Sequence, residues 1–173
     1  MKDTDAHRLS TRFAALLGEH QRILFKVANG YCRDSGDRAD LVQEMAAQAW
    51  RGFARFDGST KFSTWLYRVA LNVAISFYRS EHRRIRDTVP LEGLTVELPA
   101  SEPQAESENL TRVRQLIAAL DPVNRALMTL YLDGNSHAEI AEIVGLCVSN
   151  VGTRINRLKE RLKRTLEADH VDR

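Results

Sequence analysis

The chain has 173 residues, enough for one ordinary domain or two small ones, and 43% of them are hydrophobic. The only cysteines, Cys32 and Cys147, exclude a disulfide scaffold and a four-cysteine zinc site, and the five histidines lack metal-ligand spacing. No apolar stretch approaches the length of a membrane span, and the N-terminus lacks a signal-peptide pattern. We therefore expect a cytoplasmic protein without membrane insertion, metal or cofactor.

The formal net charge of +2 conceals three segments of different sign. Residues 1–86 contain 15 Lys and Arg against 9 Asp and Glu, a net of +6. Residues 87–108 contain no base and 6 acids, and residues 109–173 contain 10 bases and 8 acids. This pattern predicts two basic modules that contact a polyanion. The acidic segment that joins them would not contact it.

Helical periodicity dominates the first module, residues 1–86. The spacing predicts one helix over about 8–31, a second over about 37–55 and a third over about 61–84. The apolar stripe of the second helix contains Val42, Met45, Ala46, Ala49, Trp50 and Phe53. The apolar stripe of the third contains Phe62, Leu66, Val69, Val73 and Phe77.

The acidic segment 87–108 is predicted to be an extended linker. Residues 86–109 contain three of the four prolines and little helical periodicity. Fully extended, a segment of this length spans roughly 70 to 80 Å. A surface loop within one domain is the alternative, but structureless loops this long are uncommon in compact folds.

The second module, residues 109–173, has the pattern of a helix-turn-helix. Helices are predicted over about 109–120, 122–132, 136–144 and 148–168. Asp121 and Pro122 are typical of a helix start, Ser136 with Glu139 forms a capping box, and Gly145 permits a left-handed turn. The fold class is therefore all-α, with two small helical domains joined by an extended linker.

The last helix has the features of a DNA recognition helix. Residues 154–164 contain six bases and one acid. Hydroxyls, amides and arginine can contact base edges, and the other cations suit phosphates. An ordinary amphipathic helix with a solvated basic face is the alternative. The residues expected on its exposed N-terminal half are Ser149, Asn150, Thr153, Asn156 and Arg157.

Two further stripes occur in the first module. One face of the third helix is basic with an aromatic and an amide, and contains Lys61, Trp65, Arg68, Asn72, Ser76, Arg79 and Arg83. Such a face suits single-stranded or melted nucleic acid. The alternative is that Trp65 is a core aromatic. Asp37, Asp40, Glu44 and Gln48 form an acidic-to-polar edge that would repel DNA. This edge either stays solvated or faces a basic protein.

Three blocks together resemble the extracytoplasmic-function sigma factors of bacterial RNA polymerase. The chain resembles this family over nearly its whole length. The blocks are DLVQEMAAQAWRGFARF at 40–56, KFSTWLYRVALNVAISFYR at 61–79 and LDPVNRALMTLYLDGNSHAEIAEIVGLCVSNVGTRINRLKERL at 120–162. The resemblance implies core RNA polymerase (its beta-prime and beta subunits), promoter DNA and an anti-sigma factor as partners.

The resemblance also implies roles for individual residues. The core-polymerase-binding residues would be Asp37, Asp40, Leu41, Gln43, Glu44 and Gln48. The promoter −10 element would be bound by Phe56, Ser59, Lys61, Trp65, Arg68, Asn72 and Arg79. The −35 element would be bound by Ser149, Asn150, Thr153, Arg154, Asn156, Arg157 and Arg161. None of these roles is catalytic.

Three residues of the second module depart from the family pattern. Gly152 replaces a larger, often basic residue, His137 replaces a common aromatic, and Cys147 occupies a Ser or Pro position. Two other functions stay open. A stand-alone helix-turn-helix regulator would leave the acidic edge and the Trp65 stripe unexplained. A nucleic-acid enzyme would need clustered carboxylates or a nucleophile–base pair, which the sequence does not display.

Overall fold

The computed structural model describes residues 2–32, 34–88 and 108–171, and these ranges contain helices and no strand. The helices are α1 (Lys2–His20), α2 (Arg22–Tyr31), α3 (Ser35–Phe53), α4 (Phe62–Thr88), α5 (Glu108–Ala118), α6 (Pro122–Leu132), α7 (His137–Val144) and α8 (Val148–Val171). The all-α prediction is confirmed.

The chain divides into two compact units, Met1–Arg83 and Arg84–Arg173. The predicted domain boundaries at 86/87 and 108/109 stay predictions. Residues 89–107 of the predicted linker lie outside the described residues. No helix in the described part of the chain is both long and apolar enough to cross a membrane.

The single helix predicted over 8–31 is wrong, because the chain forms α1 and α2 with a turn at Gln21. The Leu24 amide donates to the Gln21 carbonyl at 3.0 Å, a bond three residues back instead of four. Gln21 keeps helical dihedral angles, φ −55° and ψ −28°. The apolar periodicity therefore continues across the break, and the sequence pattern does not detect it.

Helices α1 to α4 build the core of the first unit. Asp34 begins α3 by accepting hydrogen bonds from the amides of Gly36 and Asp37, at 2.8 and 3.2 Å. The core contains Phe13, Leu24, Val27, Leu41, Met45, Ala49, Phe53, Leu66, Tyr67, Ala70, Leu71 and Ala74. The buried stripe of α4 is thus rotated from the predicted one, since Val69, Val73 and Phe77 are only half-buried.

Helices α5 to α8 build the second unit, with α6 packed against both α7 and α8. The capping box of Ser136 and Glu139 is present, and Gly145 ends α7 in the left-handed region at φ +72°. Its core contains Leu127, Leu130, Ile140, Val151 and Ile155. The predicted helix-turn-helix geometry of α7 and α8 follows from these local features.

Arg125 is a charged residue buried in the second unit. Arg125 is only 4% exposed, and its guanidinium donates hydrogen bonds to the carbonyls of Ala118 and Leu120. These carbonyls lie at the end of α5, where helix acceptors lack intrahelical donors. Arg125 therefore joins the end of α5 to α6.

Candidate nucleic-acid and protein interfaces

The acidic edge of the first unit lies on α3. Asp37, Asp40, Gln43 and Glu44 are exposed and Gln48 is half-buried. The Glu44 Oε1 atom accepts from Gln48 Nε2 at 2.7 Å and pairs with Arg51 at 3.5 Å. Two carboxylates of this edge, those of Asp37 and Asp40, are exposed, and a third, that of Glu44, is paired with Arg51.

Leu41 differs from the other residues predicted for polymerase binding. It is 2% exposed and lies in the core of the first unit. A side chain in that position stabilises α3 and cannot contact a partner of the folded chain. We therefore leave Leu41 out of the proposed surface.

An aromatic cluster surrounds Trp65 at the start of α4. Its ring centroid lies 5.2 Å from that of Phe56 and 5.4 Å from that of Phe62. A Cβ atom built on Gly52 would lie 3.3 Å from Trp65 Cζ2, so the indole packs directly on the end of α3. Trp65 is half-buried. It is thus both a packing residue and a border of the adjacent surface.

The loop between α3 and α4, residues 54–61, begins beside this cluster and has a defined turn. Asp57 Oδ1 accepts from the Ser59 amide at 2.9 Å, and Gly58 has φ +78°. Hydrogen bonds from the backbone and then the side chain of Ser59 lower the pKa of the Asp57 carboxyl. The loop therefore has a stable carboxylate-centred turn next to Phe56 and Trp65.

The predicted polar face of α4 is solvent-facing. Lys61, Arg68, Asn72 and Arg79 are all exposed, as are Ser76 and Arg83. At 1.5 Å per residue the stripe from 61 to 79 is about 27 Å long. Cations beside an aromatic cluster suit a nucleic-acid strand with unstacked bases.

The residues predicted to contact the −35 element form one face of α8. Ser149, Thr153, Asn156, Arg157 and Arg161 are exposed. Asn150 and Arg154 are half-buried and form a pair, with Arg154 Nε donating to Asn150 Oδ1 at 3.0 Å. This face can present hydroxyl, amide and guanidinium groups to a major groove.

The two cysteines have opposite environments. Cys147 is exposed just before α8, with its Sγ 3.4 Å from Ser149 Oγ; this hydrogen bond and the Asn150 amide lower the pKa of the thiol. Burial, and then the negative charge of Asp37, raise the pKa of Cys32 to about 11.

Gly152 and His137 lie on different helices and pack against each other. A Cβ on Gly152 would lie 3.4 Å from Nδ1 of His137, so the imidazole covers the glycine. Tyr131 lies beside His137 with ring centroids 6.2 Å apart, and its hydroxyl accepts from Lys159 Nζ at 3.2 Å. The contact between Tyr131 and Lys159 is not visible in the sequence pattern, because 28 residues separate them.

Val148, at the start of α8, is 50% exposed although its side chain is apolar. Among the described residues, no group of three or more His, Cys, Asp or Glu side chains is arranged to hold a metal ion.

Two family models match the two units. Residues 16–84 match sigma-70 region 2, and residues 110–162 match sigma-70 region 4. The RNA polymerase sigma factor CnrH of Cupriavidus metallidurans is 30% identical, over 91% of this chain and 87% of CnrH. The ECF RNA polymerase sigma-E factor of Escherichia coli K12 is 31% identical, over 86% of this chain and 83% of that protein.

Solved structures have the same fold. The sigma factor RpoE from Bartonella quintana, in complex with the anti-sigma factor NepR, matches with a TM-score of 0.72 and 24% identity. The matched region covers 91% of this chain and 98% of the RpoE chain. CnrH, in complex with the cytosolic domain of CnrY, matches with a TM-score of 0.68 and 27% identity, over 95% of each chain.

A helix-turn-helix unit and a second helical unit with an aromatic and basic face define a DNA-binding transcription factor. The chain belongs to the sigma-70 family, in its extracytoplasmic-function group. It is an RNA polymerase sigma factor.

Proposed function

We propose that this sigma factor binds core RNA polymerase, directs it to −35 and −10 promoter elements and helps to melt the −10 element. The observation that supports this most strongly is the pairing of two different basic faces in one chain. The α8 face has the groups needed for a duplex groove, and the α4 face borders an aromatic cluster suited to unstacked bases. The chain acts by binding, in the cytoplasm, and not as an enzyme.

The polymerase contact is assigned to the acidic edge of α3. Asp37, Asp40, Gln43 and Glu44 are exposed on a unit whose sequence segment is otherwise basic. Such an edge cannot face DNA without repulsion, whereas a basic surface on the beta-prime subunit would complement it. Arg51 holds the Glu44 carboxylate, so a polymerase cation must share or replace that partner.

The −10 contact is assigned to the 54–61 loop and the α4 stripe. Extruding a base from a duplex costs a few kcal/mol, which a pocket and a cationic surface can offset. Phe56 and Ser59 belong to the loop and Trp65 borders it. The polar surface is provided by Lys61, Arg68, Asn72 and Arg79. Trp65 acts partly through packing, since its indole supports Phe56 at 5.2 Å.

The −35 contact is assigned to α8. Ser149, Thr153, Asn156 and Arg157 are placed to contact base edges, and Arg161 to contact phosphate. Arg154 and Asn150 act as a hydrogen-bonded pair, so a base that engages one of them also reorients the other.

An anti-sigma factor is the proposed inhibitory partner. One structural neighbour is a sigma factor in complex with the anti-sigma factor NepR. An inhibitor of this chain would cover the exposed edge of α3 or the basic faces of α4 and α8, because these are the surfaces that the proposed function uses.

The first test is whether the full chain co-elutes with bacterial core RNA polymerase and then supports promoter-specific run-off transcription. DNA from upstream of its own gene is the first template. Co-elution with a discrete transcript is the expected result. A chain that ignores polymerase but binds duplex DNA tightly would be a stand-alone regulator, and the proposal would be wrong.

The assigned polymerase surface is tested by Asp40→Lys with Glu44→Lys. Reversing both charges should weaken core binding at least tenfold, measured by fluorescence anisotropy of labelled chain, because like charges would then face each other. Glu19→Lys with Glu142→Lys makes the same change in net charge at exposed acids elsewhere and should leave affinity unchanged. Equal affinities for the two double variants would remove α3 from the interface.

A further inference from the structure

Three helices of the second unit bring hydrogen-bond donors together beside the recognition face. Tyr131 is on α6, His137 is the first residue of α7, and Lys159 is on α8. Lys159 Nζ lies 3.2 Å from the Tyr131 hydroxyl and 5.1 Å from its ring centroid. The Tyr131 and His137 rings are 6.2 Å apart. We call these three residues the Tyr131 cluster.

Gly152 permits this arrangement. The His137 imidazole lies over it, with Nδ1 only 3.4 Å from where a Cβ would be. A long side chain at position 152 would occupy the space of the imidazole. The glycine therefore lets a group from α7 lie on the flank of α8.

The chemistry of the Tyr131 cluster suits an anion. The Tyr131 hydroxyl accepts from Lys159, so its own proton can be donated outward, and the ammonium has further N–H groups to donate. The imidazole of His137 has at least one N–H to donate. Glu160, the acid next to Lys159, pairs with Arg164 at 3.8 Å, which directs its charge along α8.

The position of the cluster decides which anion. Gly152 is three residues after Ser149 and four before Asn156, so it adjoins the base-contacting face on the helix surface. Lys159 is exposed on the same side of α8, two helical turns after Gly152. In a helix-turn-helix the first helix crosses the DNA backbone while the second enters the major groove, and His137 is at the N-terminal end of the first helix.

We propose that the Tyr131 cluster binds a backbone phosphate of duplex DNA, outside the set of residues predicted to contact the −35 element. The proposal rests on the proposed role of α8 as the duplex-binding helix. It assigns the cluster a positioning role: a phosphate held there would set the register of α8 in the groove without contributing sequence preference.

The test is the salt dependence of binding by the full chain to a generic fluorescent duplex, without polymerase. Each phosphate contact contributes about 0.9 to the slope of log affinity against log salt. Lys159→Ala should reduce the slope by about 1 and weaken binding to all duplexes alike. Lys26→Ala is the matched control, because Lys26 is an exposed lysine on α2, outside the faces assigned to DNA. Its slope should stay that of the unmodified chain.

Tyr131→Phe separates phosphate binding from packing. The ring that supports His137 and Lys159 is retained, and only the hydroxyl is removed. We expect a three- to tenfold loss of affinity for every duplex, with an unchanged melting temperature. An unchanged salt slope in Lys159→Ala, with a lowered melting temperature, would make Lys159 and Tyr131 a structural brace and overturn the proposal.

Two other outcomes would also overturn the proposal. A loss confined to one DNA sequence would indicate a base contact, and no binding of the unmodified chain to any duplex at low salt would leave the cluster without a ligand. These outcomes are distinct from a failure of the proposed sigma function, which the polymerase and transcription assays measure on their own.

Discussion

Arg157 shows at the scale of one residue how the α8 face would discriminate promoters. It is exposed on α8. If it forms a bidentate contact to guanine, Arg157→Ala should lose about 1–3 kcal/mol of discrimination between −35 sequences. Competition binding of polymerase holoenzyme to matched and single-substituted −35 duplexes measures this.

Arg164→Ala is the control for this prediction. It removes the same charge two turns further along α8, where Arg164 pairs with Glu160 at 3.8 Å. This substitution should weaken the binding of all duplexes slightly and to the same extent. If Arg157→Ala behaves in the same way, Arg157 contacts phosphate and the base-contacting role belongs to other residues of the face.

The cysteines give a second prediction at the residue scale, on pH dependence. The pKa of Cys147 is lowered by its hydrogen bond with Ser149, whereas the pKa of Cys32 is raised to about 11 by burial. Thiolate is the reactive form, so alkylation of Cys147 should reach its half-maximal rate below pH 9 while Cys32 stays unmodified. Mass spectrometry of iodoacetamide-treated protein across pH 6–10 measures both sites.

Ser149→Ala should move the midpoint of Cys147 alkylation upward, because it removes the hydrogen bond that favours the thiolate. Cys32 is the internal reference, since Ser149 does not contact it. An unchanged midpoint in Ser149→Ala would show that the hydrogen bond is not the cause of the lowered pKa.

At the scale of helices, two glycines should respond oppositely to the same substitution. Gly152→Ala places a Cβ 3.4 Å from His137, an ordinary contact distance, so the higher helix propensity of alanine should add about 0.5–1 kcal/mol of stability. Gly52→Ala places a Cβ 3.3 Å from Trp65, and Phe56 and Phe62 confine the Trp65 ring. The same gain in stability should therefore be lost at position 52. Urea unfolding followed by circular dichroism measures both.

Gly145→Ala is the reference variant in which a loss of stability comes from backbone conformation alone. Nothing lies within 4 Å of its added Cβ, but its φ of +72° is unfavourable for alanine, and we expect a loss of about 1 kcal/mol. If Gly52→Ala stabilises the protein as much as Gly152→Ala does, the Trp65 ring shifts freely and does not support Phe56.

At the scale of the whole molecule, the two units should act independently on promoter DNA. Arg68→Ala with Asn72→Ala should reduce promoter opening while leaving −35 binding intact, since these exposed residues belong to the α4 stripe. Permanganate reactivity of unpaired thymines in the −10 region measures opening. Arg22→Ala with Gln21→Ala removes the same kinds of group from an exposed site between α1 and α2 and should open promoters normally.

Combining these changes with Arg157→Ala tests the independence itself. Each unit has its own core, so the effects on the free energy of the open complex should add within about 0.5 kcal/mol. A larger interaction energy would indicate that one unit alters how the other engages DNA.

The sequence alone was sufficient for the features that depend on near neighbours in the chain. The capping box joins residues three apart, the Gly145 turn depends on one backbone, and helical periodicity repeats within a few residues. The all-α class and the exposure of most predicted site residues followed from these patterns. Leu41 is the exception among the polymerase-binding set, because it faces the core.

Only the tertiary structure decided which distant side chains meet. The indole of Trp65 packs on Gly52, the imidazole of His137 covers Gly152, and Lys159 binds Tyr131, 28 residues away. The break at Gln21 was likewise hidden, because helical dihedral angles and apolar spacing continue through it. Contacts of this kind depend on the path of the whole chain and on close packing between helices, and neither is encoded in a local pattern.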